Sequence, residues 1–186
     1  MTFRLKALAP LLAALPLVLC GTAQAQTVTL KFSHFLAPNS NFHKNFAEPW
    51  CAKIEKESAG KLKCQLYPAL QLGGTPPQLA DQVKNGVADI VWTSPSYSTG
   101  RFPRTEALEL PFSLPPDGLK GSRAMWEYTQ KFGMEDYKDF KLLGLWSASN
   151  VVMSTASKPI LTVDGFKGVK LRSPSRFAAL FLTALG

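Results

Sequence analysis

Val28, Leu30 and Phe32 alternate with Thr29, Lys31 and Ser33 in TVTLKFSHF. That period of two predicts a β-strand with one face turned inward. A polar loop, LAPNSN, follows, and Asn39, Ser40 and Asn41 are N-cap candidates for a helix over FHKNFAEPWCAKIEKES. Phe42, Phe46, Trp50 and Ile54 recur every four residues as its inward stripe, Pro49 should bend it, and Gly60 ends it. KLKCQLYP alternates again, with Leu62, Cys64 and Leu66 on one face. After the loop QLGGTPPQ, Thr75 caps a helix that takes Pro76 at its first position, buries Leu79 and Val83, and stops at Gly86. VADIVWT is a near-continuous apolar run of the kind found in buried parallel strands. Strand, helix, strand, helix, strand predicts a parallel α/β sheet with right-handed crossovers. Ligands in such sheets collect beyond the carboxyl ends of the strands, where SHFLAPN and TSPSYSTGRF begin.

RTEALELPF reads as a connector bounded by proline. DGLKGSRAMWEYTQKFG predicts an amphipathic helix with Leu119, Met125, Trp126, Thr129 and Phe132 inward, followed by a long extended stretch, KLLGLWSASNVVMSTASKPI. GFKGVKLRSPSR then holds four cations: Lys167, Lys170, Arg172 and Arg176. In GVKLRS a strand would turn Val169 and Leu171 to one face and Lys170 and Arg172 to the other. Ser173 or Ser175 can cap a closing helix in which Phe177, Leu180, Phe181, Ala184 and Leu185 share a face. Arg172 would therefore stand at a strand's end before a helix N-terminus, where backbone N–H groups favour an anion and a guanidinium can grip a carboxylate with two parallel bonds.

Charge and export signals place this chemistry. The chain of 186 residues carries a formal charge of +8. Residues 1–25 hold Arg4 and Lys6, an apolar run from Ala7 to Cys20, and the small residues before Gln26, the pattern of a secretory leader cleaved after Ala25. Its removal lowers the charge by two. Cys51 and Cys64 would then meet an oxidising compartment, so a disulfide is the default, with two free buried thiols as the alternative. Residues 26–144 read as a first, ligand-binding domain, and 145–186 as a hinge strand and the start of a second α/β unit.

Several chemistries find no support. GxSxG, HExxH, phosphate-loop and GxGxxG signatures are missing from the sequence. His34 and His43 fall in different predicted elements with no cluster to join them, so neither a metal nor a cofactor is implied. His34 is a scaffold group or a pocket-lining one. Trp92, Ser94 and Tyr97 leave the end of a buried strand and are candidate ligand contacts, while Phe35 and Trp146 are either core or ligand contacts. The cations are scattered and lie in no nucleic-acid-binding module, which argues against nucleic acid as a partner.

LKFSHFLAPNSNFHKNF, YPALQLGG, VKNGVADIVW, ELPF and KPILTVDGFKGVKLRSP, in this order and spacing, resemble the extracytoplasmic solute receptors of TRAP transporters, the DctP-like family of tripartite ATP-independent periplasmic carriers. The resemblance implies a clamshell of the type II periplasmic-binding-protein kind, here with an incomplete second domain. Such a receptor is no enzyme; it closes over a small organic acid in the periplasm and passes it to membrane permease subunits. The family's carboxylate-gripping arginine matches Arg172, and Arg176 is a further cation one turn on. The second arginine common in the family is replaced by Val151 or Val152, which favours a monocarboxylate with an apolar or aromatic body, oriented by Asn150. An ABC-type solute receptor and a secreted α/β enzyme are the competing readings.

Overall fold

The computed structural model of the chain describes residues 26–148, 152–156 and 159–186. The leader expected over 1–25 and the ligand contact expected at Asn150 lie outside them. Strands β1 (Val28–His34), β2 (Leu62–Tyr67) and β3 (Ile90–Trp92) form a parallel sheet in the order β2-β1-β3. β1 is central. Val28 to Ser33 align with Leu62 to Tyr67 on one edge, and Phe32, Ser33 and His34 with Ile90, Val91 and Trp92 on the other. The double pairing buries Phe32, Ser33 and His34 almost completely. β3 is shorter than its apolar run suggests, because only these three residues reach the ladder.

The helix after β1 departs from regular geometry where proline requires it. Ser40 Oγ accepts from the His43 backbone N–H at 3.3 Å and starts the helix. Residues His43–Ala47 then form a π-helical turn, and α1 runs from Glu48 to Glu57. Pro49 has no N–H to donate to the carbonyl four residues back and its ring would crowd that carbonyl, so the wider i→i+5 turn sits just before it. The buried line of this helix is His43, Ala47 and Cys51. It lies one residue along from the expected stripe: Phe42 and Trp50 are half-buried and Phe46 is 41% exposed.

Cys51 is joined to Cys64 by a disulfide with Cα atoms 5.4 Å apart, stapling α1 to β2. Phe32, Ala47 and Cys51 form the first core, flanked by Phe42, Trp50, Leu66, Ile90 and Trp92. Beyond β2, Thr75 N–H donates to Gln78 Oε1 at 2.9 Å and begins a short 3-10 turn that leads into α2 (Leu79–Lys84). Leu79 and Ala80 are buried, and Gly86 takes the positive φ of 71° that ends the helix.

The stretch expected as a connector is helical: α3 spans Pro103–Glu106 and a 3-10 turn continues to Glu109. Asp136 Oδ2 accepts from the backbone N–H groups of Arg104 (2.8 Å) and Thr105 (3.0 Å), supplying a cap from a distant part of the chain. Phe102 and Tyr137 stack at 5.0 Å in a second core with Ala80, and the Tyr137 hydroxyl meets Thr105 Oγ1 at 3.0 Å. Burial pushes the Tyr137 phenol up to about 12.

Helix α4 (Gly118–Tyr128) is capped by Asp117 and runs into a π turn over Thr129–Gly133. Its buried line is Gly121, Thr129 and Gly133, whereas Leu119 (65%) and Phe132 (55%), expected inward, are exposed. At Gly121 the chain crosses that line closely, with Ser147 and the Pro115 carbonyl beside it. Residues 141–148 run extended with no strand partner among the described residues, and Ser147 N–H donates to Ser122 Oγ at 3.2 Å.

Residues 169–173 also join no sheet among the described residues, so Arg172 does not end a strand as predicted. Helix α5 (Arg176–Leu185) does form, with Ser175 Oγ accepting from Ala178 N–H at 3.2 Å. It packs on the short turn Val163–Phe166.

The disulfide generates a direct expectation. Reduction should lower the unfolding free energy by about 3 kcal/mol, the cost of releasing a loop of this length. Urea midpoints of the oxidised and reduced chain measure it, and coincident midpoints would contradict it.

Candidate ligand-binding site

The order β2-β1-β3 creates a switch point between β1 and β3, because the chain leaves β1 for one neighbour and returns on the other side. The crevice beyond the carboxyl ends of such strands is where ligands bind in open α/β sheets. Trp92 ends β3 opposite His34, which ends β1. Aromatic rings gather around Trp92. Phe35 stacks on it at 5.0 Å, with Tyr97 edge-on to Phe35 at 5.5 Å. Phe42 stacks at 4.2 Å, and Phe46 continues the stack on Phe42 at 5.3 Å. Trp146 stands nearly parallel to Trp92, at 6.3 Å and 17°.

Between these rings lies a cavity of about 340 Å³, lined by Asn41, Phe42, Asn45, Phe46, Trp92 and Trp146. That is room for a small molecule. Four of the six lining side chains are aromatic and none is charged. Ring faces carry partial negative charge and ring edges partial positive charge, so such walls suit a flat aromatic guest in offset or edge-on contact. Asn41 and Asn45 are the polar part of the lining and are hydrogen-bonded to each other, Asn45 Nδ2 donating to Asn41 Oδ1.

Beneath the rings runs a buried polar chain. His34 Nε2 and His43 Nδ1 share a hydrogen bond of 2.9 Å, and His43 Nε2 lies 3.2 Å from Glu48 Oε1. The two histidines come from different elements, β1 and the helix after it. The π turn carries His43 inward and joins them. His34 is 0% exposed and packs edge-on against Phe42 at 5.2 Å, so it supports the wall from behind and does not line the cavity. Burial, reinforced by the neighbouring His43, lowers its pKa from 6.5 to about 4. Among the described residues no group of three or more His, Cys, Asp or Glu side chains is arranged to hold a metal.

Of the other residues singled out from the sequence, Trp92 lines the cavity, while Phe35 and Tyr97 adjoin it through Trp92. Ser94 Oγ is hydrogen-bonded to Ser96 Oγ at 2.8 Å in the turn after β3. Arg172 and Arg176 are exposed, have no ion pair among the described residues, and are not in the lining. The lining residues overlooked as such are Phe42, Phe46, Asn41 and Asn45. Pro49 was the available signal: a helix forced to widen before a proline shifts its apolar stripe.

The model of bacterial extracellular solute-binding protein family 7, DctP, matches residues 32–186. The chain belongs to this family. It is 31% identical over 165 residues to the outer membrane transporter protein TsaT of Comamonas testosteroni, covering 88% of this chain and 47% of TsaT. A TRAP solute-binding protein of Rhodoferax ferrireducens T118, solved with copurified benzoate, is 46% identical with a TM-score of 0.82 over 86% of this chain and 49% of that one. A marine metagenome TRAP solute-binding protein specific for aromatic acid ligands, solved with metahydroxyphenylacetate, is 42% identical with a TM-score of 0.82 over 86% and 50%. This DctP-family chain thus spans about half the length of the relatives it matches. No described helix is long and apolar enough to cross a membrane.

Two outcomes follow from this geometry. Folded His34 takes a proton near pH 4 and unfolded His34 near 6.5, so the unfolded chain holds more protons between them and stability falls as pH drops through that window. The contribution is at most about 1.4 kcal/mol per pH unit, and His34→Gln should flatten the stability profile there. A profile with the same slope in both proteins would refute this. A Cβ at Gly121 would lie 2.6 Å from Ser147 Oγ and 2.8 Å from the Pro115 carbonyl oxygen. Gly121→Ala should therefore displace the 145–148 stretch, weaken the Trp92–Trp146 signal in near-ultraviolet circular dichroism, and cost about 1–3 kcal/mol. An unchanged spectrum would show that Trp146 is held elsewhere.

Proposed function

We propose that this chain belongs to the solute-capturing receptor of a TRAP transporter and that its solute is a small aromatic monocarboxylate. The observation that carries the reading is the uncharged cavity with four aromatic walls at the β1/β3 switch point. Family membership and the benzoate and metahydroxyphenylacetate bound to two similar proteins support the same class of ligand. The ring occupies the slot beside Trp92, with Phe35 and Tyr97 packed behind that wall, and Ser94 is a polar group at its edge. Arg172 grips the carboxylate when residues 145–186, the start of the second domain, close over the first domain, residues 26–144. Its exposed guanidinium, free of ion pairs among the described residues, is available for that contact. Asn150 orients the ligand, and Arg176, four residues after Arg172 at the start of α5, is a further cation.

Val151 and Val152 fill the stretch where a second arginine would favour a dicarboxylate. The receptor works in the periplasm after loss of residues 1–25, delivers its solute to membrane permease subunits, and performs no chemistry on it. Isothermal titration of the chain with benzoate and phenylacetate against succinate and acetate tests the reading. The aromatic monocarboxylates should bind best, and Arg172→Ala should weaken benzoate about 100-fold, as expected when a bidentate charged contact is lost. Preferred binding of succinate, or full benzoate affinity in Arg172→Ala, would overturn it.

A further inference from the structure

We infer that Asn41 and Asn45 determine which ring substituent the aromatic acid carries, by reading a hydroxyl group away from its carboxylate. The inference rests on the aromatic-acid reading above and adds to it. Among the described residues Asn41 and Asn45 are the only amide side chains in the lining of the cavity, and they sit four residues apart, which brings them together on one side of the helix that opens into α1. Their mutual hydrogen bond uses Asn45 Nδ2 as donor and Asn41 Oδ1 as acceptor. It orients both amides. Asn41 Nδ2 and Asn45 Oδ1 have no partner among the described residues, so the pair presents a free amide NH2 and a free carbonyl oxygen side by side in a wall that is otherwise aromatic.

A phenolic hydroxyl is the substituent that answers both, since it donates and accepts at the same oxygen. It gives its proton to Asn45 Oδ1 and takes one from Asn41 Nδ2. A methyl group or a hydrogen leaves both amide groups to water alone. A second carboxylate only accepts, so it would satisfy Asn41 Nδ2 while setting its charge against the Asn45 oxygen. The same pair thus favours a phenol and disfavours a second acid group. A hydroxyl ortho to the carboxylate is hydrogen-bonded to that carboxylate within the ligand and is less available, which leaves the meta and para positions.

Titration of the chain with benzoate, 2-, 3- and 4-hydroxybenzoate, repeated on Asn41→Leu and Asn45→Leu, is decisive. Both asparagines are exposed, and a thermal melt of each variant verifies its fold. Wild-type protein should bind the 3- or the 4-isomer about tenfold more tightly than benzoate, the scale of one net hydrogen bond beyond those made to water. Each leucine variant should erase that preference, so that the ratio of hydroxybenzoate to benzoate affinity falls to about one. A wild-type protein that binds benzoate without preferring either isomer, or a preference that survives both leucine substitutions, would overturn the inference and leave the aromatic-acid reading standing. Failure of all four acids to bind would remove that reading and the inference with it.

Discussion

Phe32, Ser33 and His34 are sealed from water because their strand is hydrogen-bonded along both edges at that point, to β2 and to β3. The rest of the molecule is arranged around this pairing. It fixes the order β2-β1-β3, so the carboxyl ends of β1 and β3 open together and the loops leaving them share a crevice. It also places His34 beneath that crevice with no solvent to satisfy its ring. The partner comes from the next helix, as His43, and Glu48 extends the chain outward. A buried polar group with one well-placed partner holds its neighbours in register, and the neighbour here is Phe42, the ring in closest stacking contact with Trp92.

Pro49 shapes the helix that packs on this sheet. A regular helix with the spacing of Phe42, Phe46 and Trp50 would place all three against the sheet. The widened turn before the proline instead gives the sheet His43, Ala47 and Cys51, two of them small, and leaves Phe42 and Phe46 at the mouth of the crevice. One missing backbone donor thus connects three features: the histidine pair, the close approach that lets Cys51 reach Cys64, and the aromatic wall of the cavity.

Those connections explain what could be seen in the residues alone. The parallel α/β sheet, the helix stops at Gly60 and Gly86, and the cap at Ser175 were legible because each depends on local chemistry: alternation, glycine and a side-chain oxygen. The inward face of the first helix was misjudged because periodicity assumes 3.6 residues per turn and a π turn interrupts it, and α4 turns Gly121 inward because Ser147 and Pro115 pack against it. The strand expected at Val169–Arg172 needs a neighbour to pair with, which alternation cannot supply. Trp92 was legible as a candidate from its place at a strand end. Its companions Phe46 and Trp146 come from segments far apart in sequence, and no local rule links them.

The aromatic wall has two origins. Phe42, Phe46 and Trp92 belong to elements anchored in the sheet or to the helix packed on it, whereas Trp146 arrives on an extended stretch tied to α4 through Ser122. The two halves answer to different parts of the molecule. Mutation can therefore widen or narrow the slot by altering small residues under one extended segment, without opening a void in the core that folds the protein. Ligand choice can in this sense shift at a local cost, and a lineage could change its diet while keeping the core of its scaffold.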